Sequence, residues 1–307
     1  MTKKYPSYLN LSEEEFDDRV QKGYKVMHYC CICPHNCKVN RIAGQTGKCK
    51  STIQLLVSSH CVHPGEEPPI SGEKGSGTIF FTNCTLRCVF CQNYPISQLG
   101  NGNKNSIKEL AKMMINLQKQ HCHNINLVTP THFVPQIIAA IKEAKINGLN
   151  IPIVYNSSGY ESLETLQLLD GIVDIYLPDA KYFDNKKAQQ YSGATNYFQA
   201  MTRTLREMYR QVGNLKLDQD GIAIKGLIIR HLVLPDNIAG TEDILKWISK
   251  NISRKIYISL MAQYFPAYQS VDYPELYRRI TQKEYQEAIK YLHNYDLCNG
   301  WIQQYNE

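Results

Sequence analysis

The 307-residue sequence has no apolar run long enough to cross a membrane; its longest hydrophobic stretches are strand-sized and interrupted by charge. The opening residues, MTKKYPSYLN, lack the apolar segment of a secretory signal. A cytoplasmic protein with no membrane partner is the expectation. Arg-rich blocks and RNA-stacking motifs are missing too, and the formal net charge of +6 is spread along the chain, so no nucleic-acid partner is expected. Internal repeats and low-complexity tracts are absent. With 43% hydrophobic and 20% charged residues the composition is that of a soluble globular protein and favours neither disorder nor a membrane protein. The length suits one large α/β domain with an appendage and is too short for two full-sized enzymes.

Regular patterning begins late. Ser12 followed by Glu15 reads as a capping box opening a short helix to about residue 28. Residues 29–74 are rich in Cys, Gly and Pro and show no sustained period, which predicts a loop-rich module needing a staple. Six short runs rich in β-branched or aromatic residues follow, at 78–82, 124–129, 151–155, 172–177, 227–234 and 256–261. Helical patterns separate them. Ser106 and Glu109 cap one with an apolar stripe of Ile107, Leu110, Met114 and Leu117; Ile137, Ile138, Ile141 and Ala144 mark the next, closed by Gly148. Further crossovers are expected near 163–169, 188–212 and 244–252, and a last helix capped by Thr281 and Glu284 is expected to serve packing only. Strand and helix alternating six times predicts an α/β fold: a partial (β/α)6 TIM barrel over 75–270, with a Cys-rich module at 1–74 and a helical tail at 271–307. A doubly wound sheet is the second choice.

Eleven cysteines are many for a cytosolic chain, where clustered thiols bind metal more often than they form disulfides. In GSGTIFFTNCTLRCVFCQNYPIS a strand runs into a loop bearing Cys84-x3-Cys88-x2-Cys91. A [4Fe-4S] cube with three cysteines keeps one iron free of protein ligands, and that iron is a binding site. S-adenosylmethionine (SAM) can chelate it through its amino and carboxylate groups, which sets its sulfonium beside a one-electron reductant. Phe90, between the last two cysteines, is suited to covering the cluster or stacking near the adenine. The competing explanations are three buried cysteines on one helix face, disfavoured by Asn83 before and the Gln92-Asn93-Tyr94-Pro95 break after, and a zinc site, whose fourth ligand is not evident. Upstream, Cys30-x2-Cys33-x3-Cys37-x11-Cys49 offers four thiolates, with Cys31 able to replace one of the first pair. Four suffice for either a second Fe-S cluster or a structural zinc. Cys122 and Cys298 read as ordinary buried thiols.

From the CPHNC segment to MAQYFP, and above all in its cysteine triplet, the sequence resembles the radical SAM superfamily, specifically pyruvate formate-lyase activating enzyme-like proteins of the PflX type. The resemblance implies an enzyme with a partial barrel, SAM across the strand ends, and a hydrogen atom taken from a protein glycine, a peptide or a small molecule. A reduced flavodoxin or ferredoxin would supply the electron. It also implies that the segment from Asn156 and Ser157 to Gly159, together with Asp179 and Lys181, lines the SAM carboxylate and a monovalent cation. Arg230 reaches SAM or substrate, while strand alternation turns His231 away. Where the family has Gly-Gly-Glu for the SAM amino group, this chain has Thr129-Pro130-Thr131-His132, leaving the hydroxyl of Thr129 or Thr131 for that contact. The HPGEEPPISG run after His60 and Cys61 resembles a loop of the same branch and is expected near the cluster, facing substrate. Two other functions compete: an Fe-S electron-transfer or redox-sensing protein that leaves SAM intact, and a zinc hydrolase using His132, Asp179 and His231.

Overall fold

The computed structural model describes residues 4–305. Among the described residues there are ten strands: β1 (Leu56–His63), β2 (Ser76–Phe81), β3 (Asn103–Lys104), β4 (Ile125–Val128), β5 (Ile153–Ser157), β6 (Ile175–Pro178), β7 (Lys216–Leu217), β8 (Ala223–Leu232), β9 (Tyr257–Met261) and β10 (Gly300–Ile302). Their order is β10-β9-β8-β6-β5-β4-β2-β1-β3, with β7 antiparallel to β8. The six expected strands are β2, β4, β5, β6, β8 and β9, and all neighbours among them are parallel. A doubly wound sheet would reverse their order at a switch point. Here chain order and sheet order agree from β2 to β9, which is the winding of a barrel. The sequence of strands does not close on itself, so the barrel is open between β10 and the β1–β3 edge.

The helices form where their sequences say. Glu13–His28, Ile107–Lys119 and Gln282–Asn294 each start with a reciprocal capping box, from Ser12 and Glu15, Ser106 and Glu109, and Thr281 and Glu284. The stretch expected near 188–212 is two helices, Asn185–Ser192 and Tyr197–Val212, because Gly193 adopts a left-handed φ of 64° and ends the first. Four strands escaped the pattern: β1, β10 and the two-residue β3 and β7. β1 lies within the segment expected to be loop; only Val57 of its residues is buried, so it carries no alternation to read. β10 has three residues and joins β9 in parallel, so the tail contributes to the sheet as well as packing on it.

Alternation divides the side chains into two cores. Outward residues such as Ile125, Leu127, Ile153, Tyr155, Ile229 and Leu260 meet the helices. Inward ones stack in layers across the register: Thr78, Asn126, Val154 and Ile175 in one, and Phe80, Val128, Asn156 and Leu177 in the next. Above them Asp179 pairs with Arg230 and Arg230 with Ser259. The lower lumen is filled by Val154, Ile175, Leu177 and Ile228, plugged by Ile70 from the short helix Pro68–Ser71. Asn124 Nδ2 donates to the Ile70 carbonyl at 2.7 Å and fixes the plug. Outside the barrel, buried Glu161 joins the strand-end loops by accepting from Thr131 Oγ1 at 2.9 Å and from the Tyr155 hydroxyl at 3.1 Å. Burial pushes its carboxyl from the ordinary 4.5 up to about 7.

Two outcomes follow from this packing. Ile70→Ala empties the plug and should cost about 2–5 kcal/mol in urea denaturation of the metal-free chain; a loss below about 0.5 kcal/mol would show that the lumen collapses freely. Glu161 holds its proton to higher pH folded than unfolded, so between its ordinary and raised pKa stability falls as pH rises. The thermal midpoint should drop from about pH 5 to about pH 7.5, and Glu161→Gln should shrink that drop. An unchanged drop would remove Glu161 as its source.

Candidate active site at the strand ends

The C-terminal ends of the parallel strands carry the polar residues, as in any parallel barrel. β2 runs out through Thr82 and Asn83 into the loop with Cys84, Cys88 and Cys91, which is irregular rather than helical. Each sulfur has a hydrogen-bond partner: Leu86 N–H donates to Cys84 Sγ at 3.3 Å, the Ser192 hydroxyl to Cys88 Sγ at 3.0 Å, and Ser97 Oγ lies 3.0 Å from Cys91 Sγ. Those two serines gave no signal in the sequence. Burial raises the thiol pKa of Cys84, and the neighbouring Cys88 and Cys91 add to it. Burial also raises Cys88, to about 11, against the pull of Lys181. Thiols so placed ionise when a metal takes the proton's position. Phe90 is buried edge-on against Tyr264, 5.7 Å between centroids, so it packs the core beneath the loop.

Next to the triplet lies a buried ionic group. Asp179 Oδ1 accepts from Arg230 Nε at 2.9 Å, and Asp179 Oδ2 lies 2.7 Å from Lys181 Nζ. Arg230 donates through Nη2 to Asn156 Oδ1 at 2.7 Å and lies 3.8 Å from Glu66 through Nη1. Burial works against the charge on Asp179, but Arg230 and Lys181 outweigh it and hold its carboxyl below the ordinary value. Burial likewise opposes the charge on Lys181, and Asp179 and Cys88 outweigh that. Both oxygens of Asp179 are thus taken by protein cations, and a monovalent cation there would displace one of them. Gly159 is required for this arrangement: its φ is +69°, and a Cβ would stand 2.2 Å from the Asp179 carbonyl.

The remaining candidates divide. Asn156 faces the lumen, but Ser157 turns to the other face by alternation, where its hydroxyl accepts from Gly159 N–H at 3.3 Å. Thr131 is committed to Glu161, so Thr129 is the hydroxyl left free of that bond. Thr129 has a φ of +57°, a strained conformation for a β-branched residue and one seen at ligand sites. His132 is fully buried with Nε2 2.8 Å from the Thr82 carbonyl, and His231 is buried between the Ala180 carbonyl and Thr241 Oγ1. Both are structural, and with Asp179 they do not form a metal site. Cys298 is exposed, contrary to the expectation of a buried thiol, while Cys122 is buried.

A cavity of about 600 Å³ opens at the gap in the barrel, from His63 of β1 to Trp301 of β10. Asn156, Arg230, Ser259 and Met261 form its back wall, Asn93 borders the cysteine loop, and Glu66 and Glu67 form its floor. Burial raises the Glu66 carboxyl to about 7, with Arg230 opposing the shift. The HPGEEPP run therefore does border this chamber. Ser259 and Trp301 were not anticipated, since neither belongs to a motif. The fit of a cluster and its nucleotide partner rests on this chain's own groups: three adjacent thiols, a paired cation and anion beside them, and the Thr85 and Ser158 hydroxyls, buried with no protein partner.

The upstream cysteines gather separately. Cys33 is within electrostatic reach of Cys49, Cys30 and Cys37. Cys31 is not among those neighbours of Cys33; it lies within reach of Cys30 and lines a cavity with Cys33, Glu161 and Glu164. Among the described residues no three His, Cys, Asp or Glu side chains close on one point as ligands of a single ion do. No helix among them is long and apolar enough to cross a membrane.

Comparison with known proteins bears on the family and the fold. An uncharacterized protein of Methanocaldococcus jannaschii is 33% identical over 291 residues, 92% of this chain and 79% of that one. Among solved structures, SuiB of Streptococcus suis superposes with a TM-score of 0.50 at 11% identity, covering 73% of this chain. The matched region is 47% of SuiB, so this chain spans about half of that protein, and the likeness is one of fold. HydG, a maturase of the [FeFe]-hydrogenase, gives a TM-score of 0.49 at 10% identity, over 98% of this chain and 59% of HydG. The family described as the radical SAM superfamily matches residues 78–248, more than half of the sequence, from within β2 to within the helix after β8, and the chain belongs to that superfamily.

Proposed function

We propose that Cys84, Cys88 and Cys91 hold a [4Fe-4S] cluster at which SAM is cleaved reductively, and that the chain directs the 5'-deoxyadenosyl radical to take a hydrogen atom from a protein glycine, a peptide or a small molecule. The observation that carries this is the triplet's position, in a loop at the C-terminal end of β2 beside the Asp179, Lys181 and Arg230 group. When bound, the cluster supplies one electron and an iron free to chelate.

The chain's own residues then have separable tasks. Lys181 and Arg230 offer cationic donors to a carboxylate, a charge-assisted contact, and Asp179 keeps both oriented. Asn156 holds the Arg230 guanidinium from the opposite side. Thr129 is the candidate for the SAM amino group in place of the family's glutamate. Tyr197 braces the loop ends: Lys181 N–H donates to its hydroxyl at 3.0 Å, and that hydroxyl lies within 3.0 Å of the Ser158 and Asp179 carbonyls. The 600 Å³ chamber at the barrel gap is the place for the substrate, with Glu66 and Glu67 facing it. A PflX-type activating-enzyme relationship, with a reduced flavodoxin or ferredoxin as donor, fits the sequence resemblance.

Cys84→Ala, Cys88→Ala and Cys91→Ala proteins, reconstituted anaerobically and given dithionite and SAM, should form no 5'-deoxyadenosine; turnover equal to the parent chain would refute the ligand set. Asp179→Asn should keep its iron yet weaken SAM binding by at least about tenfold, near 1.4 kcal/mol, in equilibrium dialysis. Undiminished binding would place SAM elsewhere.

A further inference from the structure

The geometry points to a second [4Fe-4S] cluster on Cys30, Cys33, Cys37 and Cys49, seated against the triplet loop so that electrons enter through it. The relay rests on the function proposed above; the cluster itself does not.

Local backbone structure brings the four cysteines together. Cys30 N–H donates to the Val39 carbonyl and Lys38 N–H to the Cys30 carbonyl, both at 3.0 Å, which sets Cys30 across from the residues that follow Cys37. A turn closed by Asn36 N–H on the Cys33 carbonyl carries the chain from Cys33 to Cys37. Lys48 N–H donates to Cys37 Sγ at 3.4 Å, which draws in Cys49. Gly47 is needed for that approach, because a Cβ there would lie 2.6 Å from Cys37 Sγ. Fully buried Arg41 fixes the other side, donating to the Ser51 and Thr52 carbonyls just beyond Cys49.

Cys30, Cys37 and Cys49 all lie within electrostatic reach of Cys33. Four thiolates satisfy a zinc ion and a cube alike; what favours the redox-active occupant is the docking of the quartet on the triplet loop.

The module grips the triplet loop on both sides of Cys84. Asn83 Nδ2 donates to Ser51 Oγ at 3.1 Å, and His35 Nε2 lies 2.7 Å from the Thr85 carbonyl. His35 stands between Cys33 and Cys37 in sequence, so the path from the quartet to Cys84 crosses one hydrogen bond. A low-potential one-electron donor protein would be oxidised as the quartet cluster is reduced; that electron then passes to the triplet cluster, which returns the quartet to its oxidised state. Only an electron moves.

The test uses the full chain reconstituted anaerobically with iron, sulfide and an equal supply of zinc. The parent should hold about eight irons and no zinc. Cys33→Ser with Cys37→Ser should keep about four irons whose EPR signal shifts on adding SAM, and the triple triplet variant about four whose signal ignores SAM. Cys31→Ser should match the parent and serves as the folding control. About four irons and one zinc in the parent would overturn the second cluster and leave the radical cluster standing. Eight irons with no SAM-sensitive signal would sink the radical assignment and the relay, and leave the second cluster standing. For the relay, His35→Phe should keep both clusters and slow reduction of the triplet cluster by reduced flavodoxin about tenfold in stopped flow; an unchanged rate would overturn it.

Discussion

A carboxylate inside a barrel stays ionised only if cations come with it, and Asp179 comes with two. Desolvation of an unpaired acid there would cost more than the fold could tolerate. The pairing requires β6 and β8 to be neighbours, with Asp179 opposite Arg230 in register. Lys181, two residues further along, reaches the second oxygen. The pairing also needs the Gly159 backbone against the Asp179 carbonyl, where any side chain would collide. The charged layer then marks a boundary: below it Val154, Ile175, Leu177, Ile228 and Ile70 fill the lumen, above it the strand ends are polar.

The N-terminal third belongs to this arrangement. β1 extends the sheet, the Pro68–Ser71 helix fills the lumen through Ile70, and the Cys30–Cys49 region fastens to the residues on either side of Cys84. Ser162 and Thr165 hydroxyls donate to the Ile32 carbonyl, tying the same region to the start of the helix Leu163–Leu168 that follows β5. Cysteine loops with little regular structure are held in place by their docking to the barrel.

How much of this was readable varied with the kind of signal. Strands buried on both faces announce themselves as β-branched runs, and β2, β4, β5, β6, β8 and β9 were found that way, within a few residues at each end. β1 faces solvent along most of its length and β10 has three residues, so neither carries a pattern. The cysteine triplet was legible because its spacing carries chemistry. Asp179, Lys181, Asn156 and Arg230 were legible only through the family resemblance; nothing in a strand-end lysine distinguishes it from a surface one. Ser157 shows the limit of matching by position, since alternation turns it from the lumen that Asn156 faces. Ser97 and Ser192, the partners of two triplet sulfurs, could not be found, because a serine's use depends on what folds against it.

The gap between β10 and β1 has a geometric corollary. Ile70 fills the lumen from below, and Arg230 opens onto the lateral cavity whose mouth is lined by His63 and Trp301. A lateral slot restricts the breadth of whatever part is inserted and places no ceiling on the bulk left outside. A single projecting loop of a large body and a free metabolite of equal girth meet the same doorway.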